Sequence, residues 1–411
     1  MEFNVDNYVK TYWDKFVGLN DSNNSEFADA TCENSIRTSK FLEWLDLDPI
    51  MQKINKYYIV KEGEETYPRR AMVNTFIWRK IKRIKYYTST ERYLNDHPDE
   101  ALELGFNIDI NGNVIVPNHE TLRHFEKIRI GNDGIEAIMF LFCSEVVKAG
   151  NKLGLKIGEN TGTDSTPIET PHDSVGKYNG HYKKKMVKAH ITTDYDYNIP
   201  LAKKLCGGTD DDDRYLEELL EKSAKVAKKN MCETWFDGGY NSNKNIALTH
   251  VKFGLRAHYH IDVDWRKNVT YEHNFGGKNY IFTPEQQINY LYRKRWKKPY
   301  YKKDASLEYM MQCLIKEEIY EPVAMYFRND YMQEYEECPE GVLDVYHRRN
   351  GSEGINSYMK GHLGLETHIN GKGMKNINIH ITQCCIALLA VVLTRLQHGI
   401  KENLTSIAYL T

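Results

Sequence analysis

Hydrophobic positions recur at helical spacing through the first part of the chain. FLEWLDLDPIMQKINKYY places its apolar residues three and four positions apart, which predicts an amphipathic helix. In YPRRAMVNTFIWRKIKRIKYYTSTERYL, Pro68 stands where a helix can begin. Asn118 suits the cap of a further helix, and another is expected over residues 134–149. The pattern predicts a mainly helical region over residues 1–150.

From about residue 155 the pattern favours strands. KIGENTGTDSTPIET predicts a strand that ends in a polar loop, and KMVKAHITTDYDYNIPLAKKLCG predicts two strands around a turn. Thr209 is expected to cap the next helix, with the following run of Asp at its favourable N-terminal end. CETWFDGGYNS, NSNKNIALTHVK and GLRAHYHIDV then predict strand, helix and strand. This order is typical of a mixed α/β sheet and is assigned to residues 151–263.

Residues 264–340 interrupt this unit. VTYEHNFGGKNYIFT predicts a hairpin with Gly276 and Gly277 at its turn, followed by helical stretches. The α/β unit resumes over residues 341–411. Its most apolar stretch, residues 379–396, is interrupted by His380 and Arg395, which predicts a buried helix and no membrane span.

Charge adds three basic clusters that could contact nucleic acid. The 411 residues carry a formal net charge of −2, which is less basic than most DNA-binding proteins, but the basic residues are clustered. The first cluster belongs either to a helical DNA-binding domain or to a solvated face of a helical bundle. It consists of Arg69, Arg70, Arg79, Lys80, Lys82, Arg83 and Lys85.

The second basic cluster lies in the interruption and is mixed with aromatic residues. In YLYRKRWKKPYYKK, cations can bind phosphates and rings can stack on unpaired bases. A solvated face with some buried rings explains the same pattern. The residues assigned to DNA are Arg293, Arg295, Trp296, Lys297 and Lys298. Lys183, Lys184, Lys185 and Lys188 form a third basic patch.

Two aspartates stand at the ends of predicted strands. Asp164 closes one segment in GTDSTP, and Asp237 closes another in TWFDGGYN. Carboxylates at neighbouring strand ends can share one site. A single Asp at such a position is more often a turn former or a cap.

A third segment, YHRRNGSEGINSYMK, carries four spaced polar side chains. At about 100° per residue, Tyr346, Arg349, Glu353 and Lys360 lie within an arc of about 60° on one helix. Glu353 can then bind a metal ion, while the cations hold phosphate oxygens. An exposed helix with ordinary ion pairs is the alternative, and its glycines lower its helix propensity.

The spacing of these four residues resembles the signature of the IS4-type DDE transposases. TGTDSTPIE is similar to the first-Asp strand of that family, and FDGGYNS is similar to its second-Asp strand. Upstream, YPRRAMVNTFIWRKIKRIKYYTSTERYLNDHP and VPNHETLRHF resemble the helical N-terminal domain of the related IS5 and IS1182 groups. The resemblance covers about residues 60 to 395.

The resemblance implies a ribonuclease-H-like catalytic core in which Asp164, Asp237 and Glu353 bind two divalent metal ions. Mg²⁺ or Mn²⁺ suits such hard oxygen ligands, and two ions about 3.5–4 Å apart can activate water and stabilise the leaving oxygen. Hydrolysis would free a 3′-hydroxyl at the element end, which then attacks target DNA. Tyr346, Arg349 and Lys360 would position DNA phosphates.

The implied partners are double-stranded DNA, as terminal inverted repeats and as target, and a second copy of the chain in the DNA complex. No membrane is expected. Scattered cysteines and the absence of a secretory signal predict a cytoplasmic, nucleoid-associated protein.

Several alternatives remain at this stage. Glu169 or Asp173 could compete as a carboxylate near the metal ions. The chain could be a relative that binds DNA without cutting it, another ribonuclease-H-like nuclease such as a junction resolvase, or an unrelated two-carboxylate hydrolase.

Overall fold

The computed structural model describes most of the chain between residues 41 and 406. The described ranges are 41–42, 44–54, 67–170, 175–227, 229–260, 271–275, 278–282, 305–348, 350–369 and 371–406. For residues 271–275, 278–282, 305–308, 310 and 350–353 only the backbone is described.

Helices form the described part of the region that precedes the sheet, as predicted there. They are α1 (Asp48–Ile54), α2 (Arg69–Ile81), α3 (Tyr87–Asp96), α4 (Pro98–Glu103), α5 (His119–His124) and α6 (Gly131–Lys152), with a π-helical turn (Phe125–Ile130) before α6. The predicted cap of α5 is confirmed, because the Asn118 side chain accepts a hydrogen bond from the backbone N–H of Thr121.

Within the described residues, a mixed sheet of six strands follows. Its strands are β1 (Asn160–Glu169), β2 (Lys177–Asn179), β3 (Lys184–Asp194), β4 (Ile199–Gly207), β5 (Glu233–Phe236) and β6 (Arg256–His258). The strand order is β2-β3-β1-β5-β6, with β4 paired to β3. β1 is antiparallel to β3 and parallel to β5, and β5 is parallel to β6. This mixed α/β topology agrees with a ribonuclease-H-like core.

Helices cover both faces of the sheet because successive strand residues point to opposite sides. Ile168 of β1 and Val187 of β3 belong to a core that also contains residues of α2, α6 and the C-terminal helix α13 (Met374–Gln397). Phe236 and Ala257 belong to a second core on the other face, with α7 (Leu216–Ala227) and α8 (Asn243–Val251). The result is a three-layer arrangement.

Helix α13 lies in the first core. It is long and apolar enough to cross a membrane, but 94% of its most apolar window is buried within the protein. The predicted buried helix is therefore confirmed.

Two of the basic residues assigned to a possible DNA-binding face are buried against this core. Arg79 lies 2.7 Å from the carboxylate of Glu126, and the Lys80 ammonium lies 2.6 Å from Nδ1 of His380 in α13. Burial lowers the pKa of Lys80 to about 8. Arg79 and Lys80 thus lie within the helix packing. For these two residues both interpretations from the sequence, a DNA-binding face and a solvated face, are wrong.

The interruption contains the predicted hairpin, formed by β7 (Tyr271–Phe275) and β8 (Lys278–Phe282). Helices α9 (Ala305–Lys316), α10 (Glu321–Glu337) and α11 (Pro339–His347) follow, then α12 (Asn350–Leu363). Residues of α9 and α10 lie in the second core. The division of the chain into four units stays a prediction.

The helix expected after Thr209 begins later than predicted. A 3₁₀ turn (Asp212–Tyr215) comes first, and α7 starts at Leu216. Thr209 is not its cap, because it lies seven residues before the first residue of α7. The intervening aspartates make side-chain contacts instead of forming the first helical turn. Asp210 accepts hydrogen bonds from the Gly207 N–H and the Tyr215 hydroxyl.

Candidate functional site

Asp164 and Asp237 occupy equivalent positions on neighbouring parallel strands. The register of β1 and β5 runs from Asn160 opposite Glu233 to Thr163 opposite Phe236, so these two aspartates come next. Asp237 keeps an extended backbone, with φ −72° and ψ 164°. Because adjacent strands lie about 4.8 Å apart and side chains alternate, both carboxylates lie on one face of the sheet. We call it the site face.

The position of Asp164 differs from the prediction in one respect. It does not close its strand, because β1 continues to Glu169. The parallel partner β5 ends at Phe236, whereas antiparallel pairing with β3 continues from Asp164 opposite Ile191 to Glu169 opposite Met186. Asp237 does follow the end of its strand, as predicted.

A short turn after Asp237 orients this aspartate. Its Oδ1 accepts a hydrogen bond of 2.6 Å from the Gly238 N–H. The turn continues to Tyr240, which is fully buried and whose hydroxyl lies 2.6 Å from His190 Nδ1. A Cβ at Gly239 would lie only 3.2 Å from Asp212 Oδ2, so this position favours glycine.

The opposite face of β1 carries a closed polar network. Ser165 Oγ donates to Asp212 Oδ2 over 3.0 Å, and the Lys188 ammonium lies 2.6 Å from Asp212 Oδ1. Burial, reinforced by the charges of Asp212 and Asp164, raises the pKa of Tyr240 well above its ordinary value. Burial also lowers the pKa of His190 to about 4. Both side chains are therefore neutral at pH 7.

This network removes Lys188 from the predicted basic patch. Lys188 is largely buried against Asp212 and points away from Asp164. Lys183, Lys184 and Lys185 are exposed, as the patch requires. Lys184 pairs with Glu169 at 2.9 Å.

The register of β1 also tests the alternative that Glu169 is a carboxylate near the metal ions. Glu169 is an odd-numbered position of β1 and lies on the face opposite Asp164. It cannot compete there as a carboxylate, so that expectation is wrong. Asp173 lies outside the described residues.

The Tyr-Arg-Glu-Lys segment forms two helices instead of one. Tyr346 lies in the last turn of α11, while Glu353 and Lys360 belong to α12. Arg349 lies between them, outside the described residues. The predicted single helical face is therefore wrong. Helix α12 begins at Asn350. Asparagine is favoured at the N-terminus of a helix and disfavoured in its interior, which agrees with a break at this position.

Two hydrogen bonds attach these helices to the site face. Trp235 Nε1 donates to the Val345 carbonyl over 2.8 Å, which places the end of α11 beside β5. Asn356 Nδ2 donates to Asp164 Oδ2 over 3.0 Å, which docks α12 on β1. Glu353 precedes Asn356 by three residues and so belongs to the same side of α12. The docked helix α12 thus also carries the Glu353 position.

The remaining predicted DNA contacts are partly described. The Tyr346 ring is half-buried, 6.1 Å from that of His260. The Lys360 ammonium lies 2.6 Å from the Glu366 carboxylate. Arg293, Arg295, Trp296, Lys297 and Lys298 lie outside the described residues.

The donors on the site face fit a hard divalent cation. Asp164 and Asp237 offer carboxylate oxygens, and the acyl oxygen of Asn356 is buried without a hydrogen-bond partner. No group of three or more His, Cys, Asp or Glu that could hold a metal ion occurs among the side chains that the structure describes. The Glu353 side chain is not one of them.

Sequence reasoning missed Asn356 and Asp212. The signal for Asn356 was its spacing, three residues after Glu353 on one helix. Asp212 stood in a run of acidic residues that a helix N-terminus explained sufficiently. Its contacts with Ser165 and Lys188 show that it lies behind β1.

The family comparison agrees with this geometry. The model of a family described as "Transposase DDE domain" matches residues 163–390, which is more than half of the chain. The match begins one residue before Asp164 and includes Asp237 and Glu353. A comparison with curated proteins gives no match.

Proposed function

Because the chain belongs to the DDE transposase family, we propose that it cuts DNA at the ends of an insertion sequence of the IS4 type and joins the freed 3′-hydroxyl to target DNA. The first step is hydrolysis of a phosphodiester, and the second is transesterification in the same site. The observation that carries the proposal is the in-register pair Asp164 and Asp237, with the helix of Glu353 docked on the same face.

Transposases of this family generally use divalent metal ions. Asp164, Asp237 and Glu353 would hold two divalent ions, Mg²⁺ or Mn²⁺. When bound, such ions supply positive charge beside the phosphate and make a coordinated water more acidic. The protein itself fixes the positions of the carboxylates. The β1–β5 pairing sets the spacing of the two strands, and the Asn356 amide holds Asp164.

The exposed hairpin of β2 and β3 extends the site face and offers a path for the DNA backbone. Tyr178 and Lys185 are cross-strand partners, and the strand register puts them on the face that carries Asp164. Tyr178 is 61% exposed. An ammonium group can bind a phosphate there, and a ring can stack on an unpaired base near the cut. In the same proposal, Tyr346, Arg349 and Lys360 position phosphates nearer the site, and Lys360 exchanges Glu366 for DNA.

The proposed setting follows from this reaction. The substrates are the terminal inverted repeats and a double-stranded target. Joining two ends requires a homodimer in the DNA complex, at the nucleoid in the cytoplasm.

Cleavage of a labelled duplex that carries the repeat flanking this gene tests the proposal. We expect nicking at the repeat edge with Mg²⁺ or Mn²⁺, none with EDTA, and none with Asp164→Asn, Asp237→Asn or Glu353→Gln. The matched control is Asp212→Asn, because this carboxylate lies behind the same strand on the other face; it should retain nicking.

Specific binding without nicking by the unaltered chain would point instead to a DNA-binding relative. Nicking that survives Glu353→Gln would remove Glu353 from the triad. Nicking of branched DNA in preference to the repeat would favour a junction resolvase.

A further inference from the structure

Asn356 has an unusual environment for a buried amide. It is only 5% exposed, and its Nδ2 donates to Asp164 Oδ2 over 3.0 Å. Its acyl oxygen Oδ1 is buried and accepts no hydrogen bond. Buried polar atoms normally have partners, and an orphan often marks the place of a water molecule or an ion. Here the orphan belongs to a side chain that touches an aspartate of the proposed site.

A second buried asparagine provides a comparison. Asn74 in α2 is 4% exposed, and its Oδ1 also has no partner. Its Nδ2 donates to the backbone carbonyl of Leu104, in the helical region. An orphaned oxygen alone therefore does not define a site. The contact with Asp164 distinguishes Asn356.

We propose that Asn356 is part of the cation site, as a neutral oxygen donor and a positioning residue. This inference rests on the proposed function. The N–H side of the amide fixes the carboxylate of Asp164 in one orientation. The acyl oxygen then supplies a donor to the ion that Asp164 holds, directly or through one water molecule. Amide carbonyls are ordinary ligands for hard divalent cations.

The two halves of the amide can be separated by substitution. Asn356→Ala removes both the donor and the oxygen. Asn356→Asp keeps an oxygen and adds charge, but it loses the N–H and sets two carboxylates side by side. Without metal this repulsion lowers stability. A bound divalent cation relieves the repulsion, so the metal should stabilise Asn356→Asp more than it stabilises the unaltered chain.

Mn²⁺ binding to the DNA-free full-length chain tests the inference, with free Mn²⁺ followed by electron paramagnetic resonance and Tm recorded with and without Mn²⁺. We expect Asn356→Ala to bind Mn²⁺ about tenfold more weakly, as is usual when a residue supporting a metal ligand is lost. Asn356→Asp should bind at least as tightly as the unaltered chain and show a larger rise in Tm. Asn74→Ala, the matched control, should bind normally.

The outcomes separate this inference from the proposed function. If Asp164→Asn loses Mn²⁺ binding while Asn356→Ala retains it, the metal site stands and Asn356 serves only to dock α12. If Asn356→Asp binds as weakly as Asn356→Ala and gains no extra Tm, the oxygen-donor role is wrong even if the alanine variant is poorly folded. If Asp164→Asn binds Mn²⁺ like the unaltered chain, both proposals fail.

Discussion

On the two faces of strand β1, an aspartate carboxylate has different hydrogen-bond and charge partners. On the site face, Asp164 receives a neutral amide N–H from Asn356 and lies beside Asp237. On the opposite face, Asp212 receives the Lys188 ammonium and the Ser165 hydroxyl. A carboxylate that already has a cation and a hydroxyl has little left to offer a metal ion. On the site face, the hydrogen bond from Asn356 to Asp164 comes from a neutral amide, and a second carboxylate stands beside Asp164. Two neighbouring carboxylates with an amide oxygen nearby are oxygen donors of the kind that hard divalent cations prefer.

The largest expected effect is that a substitution on the site face abolishes activity, whereas the matching substitution on the opposite face lowers stability. Asp164→Asn should reduce metal-dependent nicking to background and leave the urea midpoint of unfolding nearly unchanged. Asp212→Asn should keep nicking but lose about 3 kcal/mol of stability, because Lys188 would remain largely buried without its anion. Urea unfolding and the nicking assay on both variants check this. If both variants lose activity at full stability, the two faces share one site and the distinction is wrong.

The second prediction uses pH to probe the face opposite the site. The pKa of His190 is lowered to about 4 by burial, below its ordinary value of about 6.5. The folded state therefore resists protonation, so its stability is complete above about pH 6.5 and falls as pH drops toward 4. The loss from this one group reaches about 3 kcal/mol.

The measurement is the urea midpoint at pH 7 and pH 5. His190→Gln should show a smaller difference between the two values than the unaltered chain. The control is His181→Gln, at an exposed histidine of the β2–β3 hairpin, which should leave the difference unchanged. An unchanged difference in His190→Gln would show that other groups dominate the acid sensitivity.

The third prediction concerns the packing beneath the site face. A Cβ on Gly162 would lie 2.1 Å from the Tyr195 ring, which packs edge-on against Trp235 at a centroid distance of 5.2 Å. Gly162→Ala should therefore lower the free energy of unfolding by about 1–3 kcal/mol.

Gly180→Ala is the control, since no atom lies within 4 Å of its added Cβ. Removing the ring with Tyr195→Ala in the same chain should recover part of the unfolding free energy that Gly162→Ala loses. A double-mutant cycle measured by urea unfolding tests this. Strictly additive effects would mean that the ring is not what excludes a side chain at residue 162.

The smallest expected effect separates two neighbouring lysines. Lys185 lies on the site face, whereas Lys184 lies on the other face and pairs with Glu169. Lys185→Ala should weaken DNA binding and reduce the salt slope by about 1, the value for one lost phosphate contact. Lys184→Ala should change neither. Titrations of a labelled duplex at several salt concentrations decide this, and equal effects would mean that the hairpin does not present one face to DNA.

Local patterns were sufficient for much of the fold. The succession of strands and helices in the α/β unit and the buried C-terminal helix were predicted from hydrophobic periodicity, whereas β2 and the order of the strands in the sheet were not. The turn after Asp237 was predicted from its glycines. Periodicity and turn residues depend on neighbours in sequence, so they are readable without a structure.

Features that depend on distant partners were not readable in this way. The polar stretch after Asp164 resembles a loop, yet pairing with β3 keeps it a strand to Glu169. Arg79 and Lys80 look like surface cations until Glu126 and His380 are placed beside them. In the candidate site, the position of Asp237 after its strand was predictable, whereas Asp164 lies within β1. The role proposed for Asn356 requires knowing that α12 packs on β1.

The buried pair of Lys80 and His380 also has a consequence for biosynthesis. The two residues are 300 positions apart, so a ribosome adding about 5–20 residues per second needs roughly 15–60 s between them. During that interval the nascent chain carries the Lys80 ammonium and the Arg79 guanidinium, and α13, which buries both of them in the folded protein, has not yet been made. Shielding by a chaperone would be most valuable in this interval, and a chain truncated before residue 374 should aggregate where the full-length protein stays soluble.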